Sequence, residues 1–91
     1  MTPFSGKTLM ITGGTGSFGE AVLKRFLDTD IAEIRIFSRD EKKQDDMRHH
    51  YQNDKIKYYI GDVRELSSVK NAIHGVDYLF HAAALKQVPS C

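Results

Sequence analysis

Gly13, Gly14, Gly16 and Gly19 fall within seven residues of one another, directly after the short apolar run Thr8-Leu9-Met10-Ile11-Thr12. They fit G-x-x-G-x-x-G through Gly13, Gly16 and Gly19, and equally G-x-G-x-x-G through Gly14, Gly16 and Gly19. Each glycine has a physical use. Gly13 or Gly14 lets the chain turn off a strand at positive φ. Gly16, without a Cβ, lets a pyrophosphate come close to the backbone, and Gly19 lets the following helix pack tightly on the strand. The free N–H groups and positive dipole end of that helix complete an anion site. A strand before the glycines and a helix after them are the context in which this pattern binds a dinucleotide. Without a ligand it would be a glycine-rich strand-to-helix loop.

A second group follows about twenty residues later. Ser38 and Arg39 leave an apolar run that ends at Phe37, and Lys42 and Lys43 lie within the next helical turn. A carboxylate here bonds the ribose 2′-hydroxyl of NAD. A 2′-phosphate instead needs hydroxyl, guanidinium or ammonium partners, and this cluster supplies all three, so the site logic favours NADP. Asp40 is the competing group, since a shifted strand end would bring it to the ribose. Asp62 leaves a third apolar run. Its carboxylate can accept from the adenine amino group while Val63 packs on the base or offers its N–H. Equally, Asp62 can cap the next helix.

These residues need a scaffold that brings strand ends together. Strands are predicted over 7–12, 33–37, 56–60 and 77–81, and helices over 17–27, 40–51 and 65–74. In the first helix Phe18, Val22 and Phe26 recur every four residues beside Leu23 and Leu27, giving one apolar face. The second helix has only Met47 and Tyr51 as sizeable apolar residues and is mostly solvated. The third carries Leu66, Val69 and Ile73 on one side, with Gly75 at a C′ position. This βαβαβαβ order implies right-handed crossovers and a parallel sheet. The expected fold is α/β, the N-terminal part of a Rossmann-type doubly wound sheet with strand order 3-2-1-4. Its crevice lies at the carboxyl ends of the strands, between strands 1 and 4.

Composition limits the alternatives. The 91 residues make one domain at most, with 41% hydrophobic residues, 27% charged residues and a net charge of +1. That balance gives no reason to invoke nucleic acid or an anionic membrane, and no apolar run approaches a membrane span. Residues 1–6 read as a short lead-in without a signal-peptide pattern. The single Cys91 cannot form an internal disulfide, which fits a cytoplasmic protein. His49 and His50 are adjacent, so their rings diverge on a helix and no zinc spacing appears. His74 sits at a helix C-terminus, and His81 at the end of strand 4 reads as structural.

The segments GGTGSFG, FSRDEKKQDDMR, IGDVRE and HAAALKQVPSC resemble the extended short-chain dehydrogenase/reductase superfamily. More closely, they resemble the 5-inverting UDP-N-acetylglucosamine 4,6-dehydratases of bacterial surface polysaccharide biosynthesis, whose relatives also carry the name UDP-glucose 4-epimerase. The resemblance covers essentially the whole chain. It implies that Thr15, Gly16, Ser17 and Phe18 line the pyrophosphate, with Gly13 and Gly19 in the same cofactor-binding loop, and that Ser38, Arg39 and Lys43 hold the 2′-phosphate of NADP. It further implies that Asp62 and Val63 contact the adenine, Ala82 packs near the nicotinamide half, and Lys86 reaches the ribose, the pyrophosphate or the substrate edge. A UDP-sugar substrate and a homo-oligomeric full-length enzyme follow from the same resemblance, with no nucleic-acid or membrane partner.

In the family, a Tyr-x-x-x-Lys pair on the helix after strand 5 and an Asp-Lys pair at the end of that strand carry the chemistry, and this sequence stops before them. The one Y-x-x-x-K present, Tyr51 to Lys55, is rejected. Asn53-Asp54 breaks the helix between the two, and Tyr51 is placed at the end of the sheet opposite the cofactor. Residues 1–91 therefore read as a cofactor-binding portion, inactive alone, with the catalytic and substrate portion absent. A non-catalytic NADP-binding module is the competing reading.

Overall fold

The computed structural model describes residues 4–13 and 16–81, and Gly14, Thr15, Ala82 and Lys86 lie outside them. The elements alternate as the apolar pattern predicts. They are β1 (Thr8–Thr12), α1 (Ser17–Leu27), β2 (Glu33–Ser38), α2 (Glu41–Tyr51), β3 (Ile56–Ile60), α3 (Leu66–Ile73) and β4 (Tyr78–His81). All three strand pairings are parallel, in the order β3-β2-β1-β4. β2 runs one residue further than predicted, so Ser38 is its last residue and pairs with Ile60.

The central strands are buried on both faces, as a doubly wound sheet requires. On one face Leu9, Ile11, Ile34, Ile36 and Ile56 pack with Val22 and Leu23 of α1 and Met47 of α2. On the other, Met10 and Phe37 meet Ala72 of α3, with Tyr59, Val69 and Val76 at the margin. The lead-in closes the lower end: Phe4 stacks edge-on against Phe26 at 5.0 Å and Tyr78 at 5.8 Å.

Two apolar patterns pack differently from expectation. Phe18 is 46% exposed. It leaves the core face of α1 and leans on Phe80 of β4, with ring centroids 5.7 Å apart. In α3 the buried residue is Ala72, while Leu66 and Ile73 stay exposed. A methyl group there fits against Met10 and Phe37, and the larger side chains flank that contact.

Arg35 holds α3 in place. From β2 its guanidinium donates to the carbonyls of Ala72 at 2.6 Å and His74 at 2.7 Å, and to Glu33 at 2.5 Å. The last-turn carbonyls of a helix lack intrahelical donors, and this arginine supplies them from a strand. Arg35 thus adds a positive charge to that of Lys70 at the C-terminal end of α3. Gly75 follows the C-cap His74 at φ +81°, the left-handed C′ position predicted for it.

Candidate functional site: the carboxyl ends of strands 1 to 4

Hydrogen bonds tie the loops leaving β1, β2 and β3 side by side. The Gly13 N–H donates to the Phe37 carbonyl at 2.8 Å, and the Gly61 N–H to the Ser38 carbonyl at 3.0 Å. Gly13 is at φ +68°, so it makes the turn off β1 that a side chain would resist. Gly16 is the N-cap of α1 and brings no side chain to cap it. Among the described residues, no side chain caps the first-turn amides, which include those of Ser17 and Phe18. Gly19 is buried, as close packing of α1 on the sheet requires.

At the end of β2, Ser38 is buried. Its hydroxyl accepts from the Asp40 N–H at 3.3 Å and from Gln44 Nε2 at 3.0 Å. With both acceptor positions taken, the hydroxyl has its O–H left to offer, the polarity a phosphate needs. Gln44 also donates to the Tyr59 carbonyl at 2.9 Å, fixing α2 to the ends of β2 and β3. The sequence reading did not single out this residue. Its signal is the spacing Gln44, Met47, Tyr51, which is i, i+3, i+7 on one side of α2.

Asp40 is the N-cap of α2 and accepts from the Lys43 N–H at 3.0 Å. Its carboxylate is engaged in capping. The Lys43 side chain is exposed. With Ser17 it borders a depression of about 370 Å³ between α1 and α2, which also touches Glu20, Asp46, Met47 and His50. Lys42 instead turns along α2 to pair with Asp46 at 3.5 Å. A larger groove, about 530 Å³, runs between α2 and β3 past Arg48, Tyr58 and Ile60. It contains none of the residues assigned to the cofactor, and the strand-end loops are the better candidate on chemical grounds.

Asp62 does not cap α3, whose N-cap is Glu65. Its carboxylate accepts from the Arg64 N–H at 2.9 Å and from that guanidinium at 2.9 and 3.2 Å. Arg39 Nη1 lies 3.6 Å from the same carboxylate. The Arg64 bonds, first from the side chain and then from the backbone, bring the Asp62 pKa down to about 2, with Arg39's charge adding to the effect. Asp62 is 20% exposed, whereas Arg39 and Arg64 are 70% and 76% exposed. One fixed carboxylate thus holds two solvent-facing guanidiniums with one net positive charge. Val63 beside it is exposed and available to a flat ligand.

At the opposite side of the switch point, Thr12 Oγ1 and His81 Nδ1 are hydrogen-bonded across β1 and β4. This gives His81 the structural contact expected of it. The structure therefore brings Arg39 to Asp62 and Ser38 to Gln44, and places Ser17 and Lys43 on one depression. Thr15, Ala82 and Lys86, also assigned to the cofactor, lie outside the described residues. Arg64 was not among the expected site residues, although its place two residues after Asp62 marks a turn in which the aspartate binds its own backbone.

The Tyr51–Lys55 pair is indeed split. Lys55 Nζ points to the Thr29 carbonyl at 3.4 Å. Tyr51 departs from its expected surroundings, because its hydroxyl reaches back to Glu20 in the first turn of α1. Burial, followed by the hydrogen bond to Glu20, raises its pKa well above the ordinary phenol value, so it stays protonated.

Comparison with known proteins agrees with this fold. The model of the family described as "Polysaccharide biosynthesis protein" matches residues 9–91. Proteins named UDP-glucose 4-epimerase from Rickettsia canadensis and Rickettsia prowazekii are each 70% identical over 97% of this chain. The chain spans 27% of the length of those relatives. The X-ray structure of Pen from Bacillus thuringiensis superposes with a TM-score of 0.87 at 37% identity, over 96% of this chain and 27% of that one. Bordetella bronchiseptica WbmF, solved in complex with NAD+, shares the fold at a TM-score of 0.69 and 14% identity, over 88% of this chain and 24% of that one. With the family model covering nearly all of its length, this chain belongs to the polysaccharide biosynthesis protein family.

Proposed function

We propose that residues 1–91 are the NADP-binding portion of an enzyme that modifies a UDP-sugar for surface polysaccharide synthesis. The observation that carries the reading is the strand-end cluster: Arg39 and Arg64 around Asp62, with the Ser38 hydroxyl at the end of the adjoining strand. Of these, the Arg39 guanidinium and the Ser38 hydroxyl fit a 2′-phosphate, with Arg64 engaged by Asp62. The turn at Gly13 and the uncapped start of α1 fit a pyrophosphate. NADP, when bound, would supply a hydride acceptor.

This chain's own residues have the task of holding and orienting that group. Arg39 would take the phosphate by charge-assisted bonds and Ser38 would donate to it. Val63 would lie against the adenine. Gly13, Gly16 and the amides of Ser17 and Phe18 would receive the pyrophosphate.

By the motif resemblance the reaction is 4,6-dehydration of UDP-N-acetylglucosamine. Sugar C4 is first oxidised, water is then lost across C5–C6, and hydride returns to C6 with inversion at C5. The names of the 70%-identical relatives favour a second reading, 4-epimerisation, in which hydride returns to C4. Both begin with the same oxidation. Incubating the full-length protein with UDP-N-acetylglucosamine and with UDP-glucose separates them. A 4-keto-6-deoxy product supports the dehydratase, C4 inversion without loss of water supports the epimerase, and no turnover of either rejects both.

A further inference from the structure

We infer that Arg64 is a positioning residue for cofactor specificity: by occupying the Asp62 carboxylate it keeps Arg39 available for a 2′-phosphate. This rests on the NADP reading above. A carboxylate near the adenosine ribose ordinarily favours the 2′-hydroxyl of NAD and repels a phosphate. Asp62 lies close to Arg39, so it threatens phosphate binding in two ways. It repels the anion, and it can capture the arginine that should bind it.

The geometry answers both threats. Arg64 closes on Asp62 with its backbone N–H at 2.9 Å, Nη2 at 2.9 Å and Nε at 3.2 Å. Arg39 approaches the same carboxylate only as an ion pair at 3.6 Å, beyond hydrogen-bonding distance. Its five N–H donors therefore remain for another acceptor. The Asp62 charge is balanced by Arg64, and the Arg39 charge is left over. The pairing is local, since Asp62 and Arg64 are two residues apart, so the carboxylate is engaged whether or not a ligand is present.

The test uses the full-length protein at low ionic strength, where exposed charges are least screened. Titration calorimetry would give NADP+ and NAD+ affinities for wild type, Arg64→Gln and Arg64→Gln/Asp62→Asn. Arg64→Gln is expected to lower the NADP+/NAD+ affinity ratio about three- to tenfold, in the range of coupled charge pairs. Removing the freed carboxylate in the double variant should restore the ratio, even if Asp62→Asn weakens both cofactors equally through the adenine. Arg64 is exposed and caps no helix, so far-UV circular dichroism should match wild type. Arg64→Lys, which keeps the charge but not the two-pronged grip, should fall between. A wild type that prefers NADP+ with an unchanged ratio in Arg64→Gln would overturn the role of Arg64 alone. A wild type without NADP+ preference would overturn the NADP reading and this inference with it.

Discussion

The phenol of Tyr51, the last residue of α2, donates a 2.7 Å hydrogen bond to the carboxylate of Glu20 in the first turn of α1. It ties the end of one helix to the start of another on the same face of the sheet. Because folding raises the Tyr51 pKa above its ordinary value of about 10, the native state holds this proton when the unfolded chain has lost it. The unfolded state then binds fewer protons, so stability falls as pH rises from about 10. Tyr51→Phe should cost about 1–2 kcal/mol near neutral pH, as for a partly exposed hydrogen bond to a charged group. It should also flatten the loss above pH 10. Urea melts of both proteins across pH 7–11 measure this, and parallel pH curves would rule it out.

Gly61 has no room for a side chain. A Cβ there would lie 2.7 Å from the Phe37 ring and 3.0 Å from the Ser68 Cβ, with Phe37 itself fully packed. Gly61→Ala should therefore destabilise by about 1–3 kcal/mol through overpacking. It should also weaken cofactor binding, because Asp62 is the next residue. Denaturation midpoints and NADP+ titration on one sample would show both losses.

Arg35→Leu should release the C-terminal end of α3. The Ala72 and His74 carbonyls lose their charged donor, at a cost of about 2–3 kcal/mol. The α3 amides should lose hydrogen-exchange protection while those of α1 keep it. Equal loss in both helices would contradict the local role given to Arg35.

Arg39→Ala should cost about 1.5–3 kcal/mol of NADP+ affinity and leave NAD+ affinity unchanged, as for a charge-assisted bond to phosphate. Equal losses for the two cofactors would place Arg39 elsewhere on the ligand.

A polypeptide of residues 1–91 should turn over no UDP-sugar, because it has no Tyr-x-x-x-Lys pair on a helix. It should also self-associate. Among the described residues β4 is an edge strand, with Leu79 52% exposed, and such an edge invites another chain. Sedimentation velocity would show whether it stays a monomer.

The sheet order was legible because each apolar run is short and bounded by glycine or short polar residues such as Asp28-Thr29-Asp30 and Asn53-Asp54, and each intervening segment has helical spacing. The glycine turn was legible because strand, glycines and helix stand next to one another. Other features depend on distant partners. Arg35 finds its acceptors 37 and 39 residues away, and no local pattern announces that. Gln44 is polar in a charged helix, and only its three hydrogen bonds explain its burial. Asp62 read equally as a cap or an adenine ligand; its grip on Arg64 depends on the turn the backbone takes after β3. Ala72 was hidden by larger neighbours, of which Val69 does pack beside it while Leu66 and Ile73 stay exposed.

The two faces of the sheet are unequal: among the described residues, nine buried side chains form the core under α1 and α2, and three form the core under α3. Cohesion of this kind sets the order of opening. β1, β2 and α1 should exchange their amides only when the whole fold comes apart, whereas α3 can lift away in a smaller excursion. The segment from Asp62 to Glu65 leads directly into α3 and would be carried with it. A cofactor held at Asp62 binds only the closed form, so each increment of binding free energy suppresses that excursion by mass action. Occupancy of the site should thus be readable as slowed exchange in a helix that does not itself touch the ligand.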